Sequence, residues 1–308
     1  MTRLKAVLGD RLLHNEPLAR YTAARLGGPA EYLYIAKDSI DELVEVVTTA
    51  WTEGMPVRVL GGGANVLVSD SGVRGLIVIN HVSEVTFGDW HHQRNVSATS
   101  GTGLIQVAHK CQSRGLSGLE WAASVPGTVG GAIVNNAGAH GGDIAGILAD
   151  VVVLEADNYP QLYNVKDLEY GYRYSRLKAR ADRRFVILLA TFTLSSGDPA
   201  QIATRMRDYV DHRKQTQPPG ASLGSIFKNP PGDYAGRLIE AAGLKGYQIG
   251  GAQVSSVHAN FFINTGSAAA GDYYALIRQV RHTVQDKMGV NLEAEIEIIG
   301  EFENGAGS

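Results

Sequence analysis

The chain has 308 residues, with 44% hydrophobic and 19% charged side chains, a globular balance that excludes intrinsic disorder and allows two or three compact cores. A formal net charge of −3, without a broad Lys/Arg block, excludes a general nucleic-acid binder. The single cysteine, Cys111, excludes a disulfide framework or a cysteine-based zinc site.

The N-terminal apolar run is broken by Asp10 and Arg11, so no secretory leader is expected. The longest apolar stretch, 185–194, is about half of a membrane span, and a cytoplasmic protein with no membrane partner is expected. Ser39 and Glu42 form a capping-box pair, followed by Ile40, Leu43, Val44, Val47, Ala50 and Trp51 on one face and Gly54 as a stop, which predicts a helix over 39–54. A strand at 57–60 runs into Gly61–Gly63, and strand-like runs recur at 66–68, 76–79, 150–155 and 185–194. Helices are expected near Ile105, from Asp198–Pro199, and near 233–242 and 272–288, the last two opened by Asp. A strand around 258–264 separates them, and the alternating segment 291–300 reads as a closing strand. The order is α+β rather than a βαβ succession, with units expected at 1–80, 81–197 and 198–302.

Two glycine-rich loops stand out. In the first, LGGGANVLVSD, Gly61, Gly62 and Gly63 directly follow a strand. The second, SVPGTVGGAIVNNAGAHGGD, carries Gly127, Gly130, Gly131, Gly138, Gly141 and Gly142. Consecutive glycines let backbone N–H groups form a concave anion nest, whose usual occupant is a diphosphate. Neither loop is GxGxxG and no GxxxxGK[ST] occurs, so neither a Rossmann fingerprint nor a P-loop is present. Either loop alone could be a tight turn; two together, the second enclosing Asn135 and Asn136, favour a ligand.

LGGGAN followed by VPGTVGGAIVNNAGAHGG resembles the FAD-binding half of the MurB family of UDP-N-acetylenolpyruvoylglucosamine reductases, part of the flavoprotein group that includes the vanillyl-alcohol oxidases. The opening NEPLARYTAARLGGPA, with Tyr21–Thr22 and Gly27–Gly28 in place, is similar to that family's opening, and the resemblance extends over 15–300. It implies an α+β fold, with a two-part FAD-binding module of the vanillyl-alcohol-oxidase/MurB type and a C-terminal α+β substrate domain. It further implies that Gly61, Gly62, Gly63, Ala64, Asn65, Pro126, Gly127, Thr128, Gly130, Gly131, Asn136 and Gly138 hold non-covalent FAD. The implied co-substrate is NADPH and the implied substrate is UDP-N-acetylglucosamine enolpyruvate, reduced to UDP-N-acetylmuramate for peptidoglycan precursors.

Three further segments match the family's catalytic signatures. In YGYRYSRLK, Arg173 would place a permanent positive charge beside the substrate carboxylate, although Arg176, Lys178 and Arg180 also suit a plain basic surface. Tyr172 would contact the substrate. In LGSIFKNP, the resemblance makes Ser225 the proton donor to the carbon next to the carboxylate, and Asn229 a partner of the UDP diphosphate. An ordinary serine turn is the alternative for Ser225. In LEAEIEII, alternation puts Glu293, Glu295 and Glu297 on one face, which a solvated strand would explain equally well. The resemblance singles out Glu295 as a stabiliser of the enol intermediate, with neighbouring carboxylates favouring its protonated form. His258 suits a structural role, and neither it nor the pair His91–His92 has metal-ligand spacing, so no metal is expected.

Ala64 stands where the family usually has Ser, and His140 where it usually has Tyr. The interval between Arg173 and Ser225 resembles the shorter second subtype, which lacks a substrate-covering tyrosine loop. A monomer is expected. An oxidase of the same flavin group would use both glycine loops but not the Ser225–Arg173–Glu295 set. A non-redox UDP-sugar binder would need the nests but neither flavin nor the set.

Overall fold

The computed structural model describes residues 2–90 and 93–302, and the pair His91–His92 lies outside them. The chain forms two compact units that interleave in sequence. The first comprises Met1–Leu13, Leu33–Gly62 and Gly75–Arg213, and the second His14–Tyr32, Gly63–Arg74 and Lys214–Ser308.

In the first unit, helix Ile40–Thr52 begins as expected, with Ser39 Oγ accepting from Glu42 N at 3.1 Å. Only half of the capping box forms, because the Glu42 carboxylate is drawn to Arg11 instead of the Ser39 backbone. The helix buries Leu43, Val46, Val47, Ala50 and Trp51. Beyond it, Val57–Leu60 pairs in parallel with Leu76–Ile79.

The larger part of this unit is an antiparallel sheet in the order Pro160–Asn164, Leu148–Leu154, Val186–Ser196, Gln93–Thr99, Val85–Trp90. The central strand Val186–Ser196 alternates buried Leu188, Ala190, Phe192 and Leu194 with more exposed residues. Helices Leu104–Gln112 and Val129–Asn135 contribute Leu104, Val107, Val129 and Ile133 to the same core. Asp198 caps helix Pro199–Thr216, its carboxylate accepting from Ala200 N at 2.9 Å.

The second unit holds a four-stranded antiparallel sheet in the order Ala221–Ser225, Phe261–Asn264, Ala252–Val254, Gln248–Ile249. Helices Ala235–Ala241 and Ala270–Met288 supply Leu238, Ile239, Tyr273, Leu276, Ile277 and Val280 to its core. Asp272 does not open the last helix as an N-cap. It lies inside the first turn, its carboxylate accepting from Ala269 N at 3.1 Å.

The closing segment is a shorter strand than its alternation predicts. Only Glu297–Ile299 forms a ladder, in parallel with Val66–Val68, and Ala294 makes a lone bridge with Phe227. Alternation survives only at the start, with Leu292 and Ile296 buried and Glu293 exposed; beyond it Ile299 rather than Ile298 is buried. The segment changes partner midway, so one continuous ladder cannot form.

Candidate functional site

In the first unit, Gly61 and Gly62 run alongside Gly127 and Thr128. A Cβ at Gly61 would collide with Thr128 Oγ1, and one at Gly62 would meet Gly127 Cα at 3.4 Å. Gly127 adopts φ +117, a conformation natural only to glycine, with open space where a side chain would project. The backbone N–H groups of Gly61, Gly62 and Gly127 donate to no acceptor among the described residues. Bare, side-chain-free donors on two adjacent loops fit a diphosphate. The residues present therefore fit FAD.

Gly130, Gly138 and Gly142 of the second loop serve packing. Gly130 N donates to Ser100 O at 2.8 Å, and a Cβ there would lie 3.0 Å from Ser100 Cβ. Gly138 faces Gly142 O and Asp143 across a two-residue hairpin, where a Cβ would come within 2.6 Å of that carbonyl. Gly131 and Pro126 are exposed. At the departure from the usual tyrosine, His140 stacks on Tyr209 with ring centroids 4.1 Å apart and planes at 8°. Burial, then His212 and Arg213, holds its imidazole below the ordinary value, which favours a neutral stacked ring.

Asn136 ends helix Val129–Asn135 in the left-handed conformation, φ +43, and is buried. Its amide donates to Gly171 O at 3.0 Å and to Asp143 Oδ2 at 3.3 Å, and accepts from Ala145 N at 3.0 Å. The chain itself thus engages this side chain. Arg173, at φ +53, donates from its two terminal nitrogens to Gly138 O at 2.8 Å and Asn136 O at 3.4 Å. Tyr172 is 56% exposed, its ring 5.5 Å from the Arg173 guanidinium.

The remaining sequence candidates belong to the second unit. Gly63 packs against Tyr21 O and accepts from Ala23 N at 3.0 Å, so a side chain there would drive into the 21–23 backbone. Ala64 follows it, half-buried. Asn65 donates from its amide to Glu295 O at 3.3 Å and accepts at its own carbonyl from Glu297 N at 2.9 Å.

Ser225 ends its strand after a bulge, behind Gly224 at φ +74. It is half-buried, and its hydroxyl makes no hydrogen bond to any described residue. Glu295 N donates to the carbonyl of the next residue, Ile226, at 2.8 Å. The fold therefore brings the Ser225 and Glu295 segments together.

Asn229 is exposed, and its Oδ1 accepts from Ala235 N at 3.0 Å, at the start of helix Ala235–Ala241. His258 makes a structural contact, its Nδ1 accepting from Asn260 N at 3.2 Å, and burial lowers its pKa.

One residue of consequence escaped the sequence reading. Asn260, 3% exposed, accepts from Phe227 N at 3.0 Å and donates to Phe227 O at 2.8 Å. This pair staples the segment just after Ser225. The one available signal was an Asn amid the apolar run HANFF. Among the described residues no group of three His, Cys, Asp or Glu converges to hold a metal, and no helix is long and apolar enough to cross a membrane.

Residues 32–154 match the FAD binding domain family, and 214–299 match the family described as UDP-N-acetylenolpyruvoylglucosamine reductase, C-terminal domain. UDP-N-acetylenolpyruvoylglucosamine reductase 2 of Symbiobacterium thermophilum is 42% identical over 305 residues, 97% of this chain and 96% of that protein. The Rubrobacter xylanophilus reductase is 42% identical, over 93% of this chain and 95% of that one. The crystal structure of UDP-N-acetylenolpyruvylglucosamine reductase (MurB) from Thermus caldophilus is similar at a TM-score of 0.80 and 34% identity, covering 94% of this chain and 99% of that one. Similarity over nearly the full length, together with matches to both domain families, shows that the chain belongs to the MurB family of UDP-N-acetylenolpyruvoylglucosamine reductases.

Proposed function

We propose that this chain reduces UDP-N-acetylglucosamine enolpyruvate to UDP-N-acetylmuramate with NADPH, using Arg173, Ser225 and Glu295 as its catalytic residues. FAD, when bound, would supply the hydride-transfer chemistry. The chain's own residues hold charge and move a proton. Gly61, Gly62 and Gly127 offer backbone donors to the flavin diphosphate. Arg173 presents a permanent cation to the carboxylate of the enolpyruvyl group, where negative charge grows as the double bond accepts hydride. The Ser225 hydroxyl delivers a proton to the carbon beside that carboxylate, and Glu295 helps stabilise the enol form. Tyr172 and Asn229 contribute substrate contacts.

The observation that carries this reading is the Ser225 hydroxyl, half-buried and without a partner among the described residues, on a segment bonded to that of Glu295. A hydroxyl already committed to a neighbour would give up its proton less readily. The test is an absorbance spectrum of the purified protein, followed by anaerobic NADPH and then UDP-N-acetylglucosamine enolpyruvate. Flavin bands that bleach with NADPH and return with substrate are expected. Return only with oxygen would indicate an oxidase, and no flavin even after added FAD would sink the redox reading. Glu295→Gln with unchanged oxidation of the reduced flavin by substrate would remove Glu295 from the set.

A further inference from the structure

Helix Val129–Asn135 ends in a run of carbonyls that would lack intrahelical partners. The turn at 170–175 supplies donors to them in order. Tyr170 OH donates to Ile133 O at 2.9 Å, and Ser175 Oγ to Val134 O at 2.6 Å. The Arg173 guanidinium donates to Asn136 O and Gly138 O. Asn136 returns the contact through its own amide, donating to Gly171 O at 3.0 Å.

The turn itself is closed by reciprocal bonds between Gly171 and Tyr174, each 3.2 Å. Arg173 sits inside that turn at φ +53, a strained conformation for a side-chain-bearing residue that surrounding contacts must maintain. Of those contacts, the Asn136 amide also reaches past the helix end, to Asp143 Oδ2 and Ala145 N.

We infer that Asn136 is a positioning residue: its buried amide fixes the turn that presents Arg173 to the same loop that carries Gly138. The inference rests on the role proposed above for Arg173. A guanidinium that stabilises developing charge works only if it is already aimed, because reorienting it during the reaction forfeits the gain. A cation on a loose turn would still be a cation, but a poorly placed one.

Asn136→Gly is the informative variant, since glycine keeps the left-handed helix end while deleting the amide. Oxidation of the reduced flavin by substrate is expected to slow on the order of 10- to 100-fold, the effect of a small misplacement. The cost must not add to that of Arg173→Ala: the double variant is expected to be no slower than Arg173→Ala alone. In the protein without substrate, amide hydrogen exchange at Gly171 and Tyr174 is expected to accelerate on the order of tenfold, with the strand Val186–Ser196 unchanged. Additive costs, or unchanged exchange at the turn, would overturn the inference.

If Asn136→Gly does not fold, Tyr170→Phe, lacking one hydroxyl at the same dock, must show the same non-additivity in weaker form; additivity there would also overturn it. If Arg173→Ala leaves substrate reduction intact, the role of Arg173 itself falls, and the exchange measurement alone decides whether Asn136 holds the turn.

Discussion

The turn around Arg173 is bound on every side, by Tyr170 and Ser175 to the end of one helix and by Asn136 back to Gly171, whereas the strand end at Ser225 leaves its hydroxyl with no partner among the described residues. The two regions also differ in what fixes their backbones. The first is held by side chains reaching carbonyls, the second by a bulge, Gly224 in the left-handed region, and the Asn260 staple on Phe227. The difference matches the chemistry proposed for each. A group that acts through a fixed field gains from being clamped, because preorganised charge costs nothing at the moment of reaction. A group that gives up a proton needs a rigid base beneath a free hydroxyl.

The largest expected effect breaks the free side of this comparison. Ser225→Ala should slow substrate reduction by on the order of 10²- to 10⁴-fold while NADPH still bleaches the flavin, as anaerobic stopped-flow absorbance of each half-reaction would show. Equal loss in both would deny Ser225 its proton role. Next comes the staple beneath it. Asn260→Ala strands the buried N–H and carbonyl of Phe227 and should cost about 3 kcal/mol in urea unfolding. A loss under about 1 kcal/mol would mean that the segment does not depend on it.

On the glycine side, Gly61→Ala drives a methyl into Thr128 Oγ1, and purified protein should carry clearly less flavin per chain than the parent. The overpacking should also lower stability by about 1–3 kcal/mol. Full flavin occupancy would show that the two loops can part without cost.

The smallest effect is one of pH. Burial holds His258 below its ordinary pKa, Lys245 lowering it further while the His258 backbone contact and Glu240 raise it. The unfolded chain therefore takes up the proton first. The stability due to the neutral ring is present above about pH 6.5 and is lost as pH falls below it. His258→Asn, which retains an acceptor for Asn260 N, should flatten that acid limb in urea titrations at several pH values. An unchanged limb would place the sensitivity elsewhere.

Local signals were legible in the sequence. Helix Ile40–Thr52 announced itself through Ser39 and its apolar face, and helix Pro199–Thr216 through Asp198–Pro199. The two glycine loops were equally visible as short runs of unusual composition, whereas the Ser225 and Glu295 segments stood out only through their resemblance to a known family. What stayed hidden depends on partners distant in the chain. Glu42 could not reveal that Arg11 would claim its carboxylate, and the alternation of 291–300 could not show where its ladder partner changes from Phe227 to Val66–Val68. Asn136 looked like one more polar residue in a ligand loop, because its acceptor Gly171 lies outside any local window. Asn260 was hidden for the same reason.

The interleaving of the units bears on how the protein comes to be made. Residues 14–32 and 63–74 belong to a unit whose remaining residues are 214–308, so they must wait while the entire sheet of the other unit is synthesised. During that wait Leu26 and Leu67, fully or almost fully covered in the finished core, lack the cluster partners that lie beyond residue 213. The parallel pairing of Val66–Val68 with Glu297–Ile299 is a late, long-range closure of the kind that slows folding and leaves apolar strand exposed to aggregation. Neither unit can be excised as a continuous fragment, and a nascent chain halted near residue 213 would present a finished sheet trailing two sticky, unfinished loops.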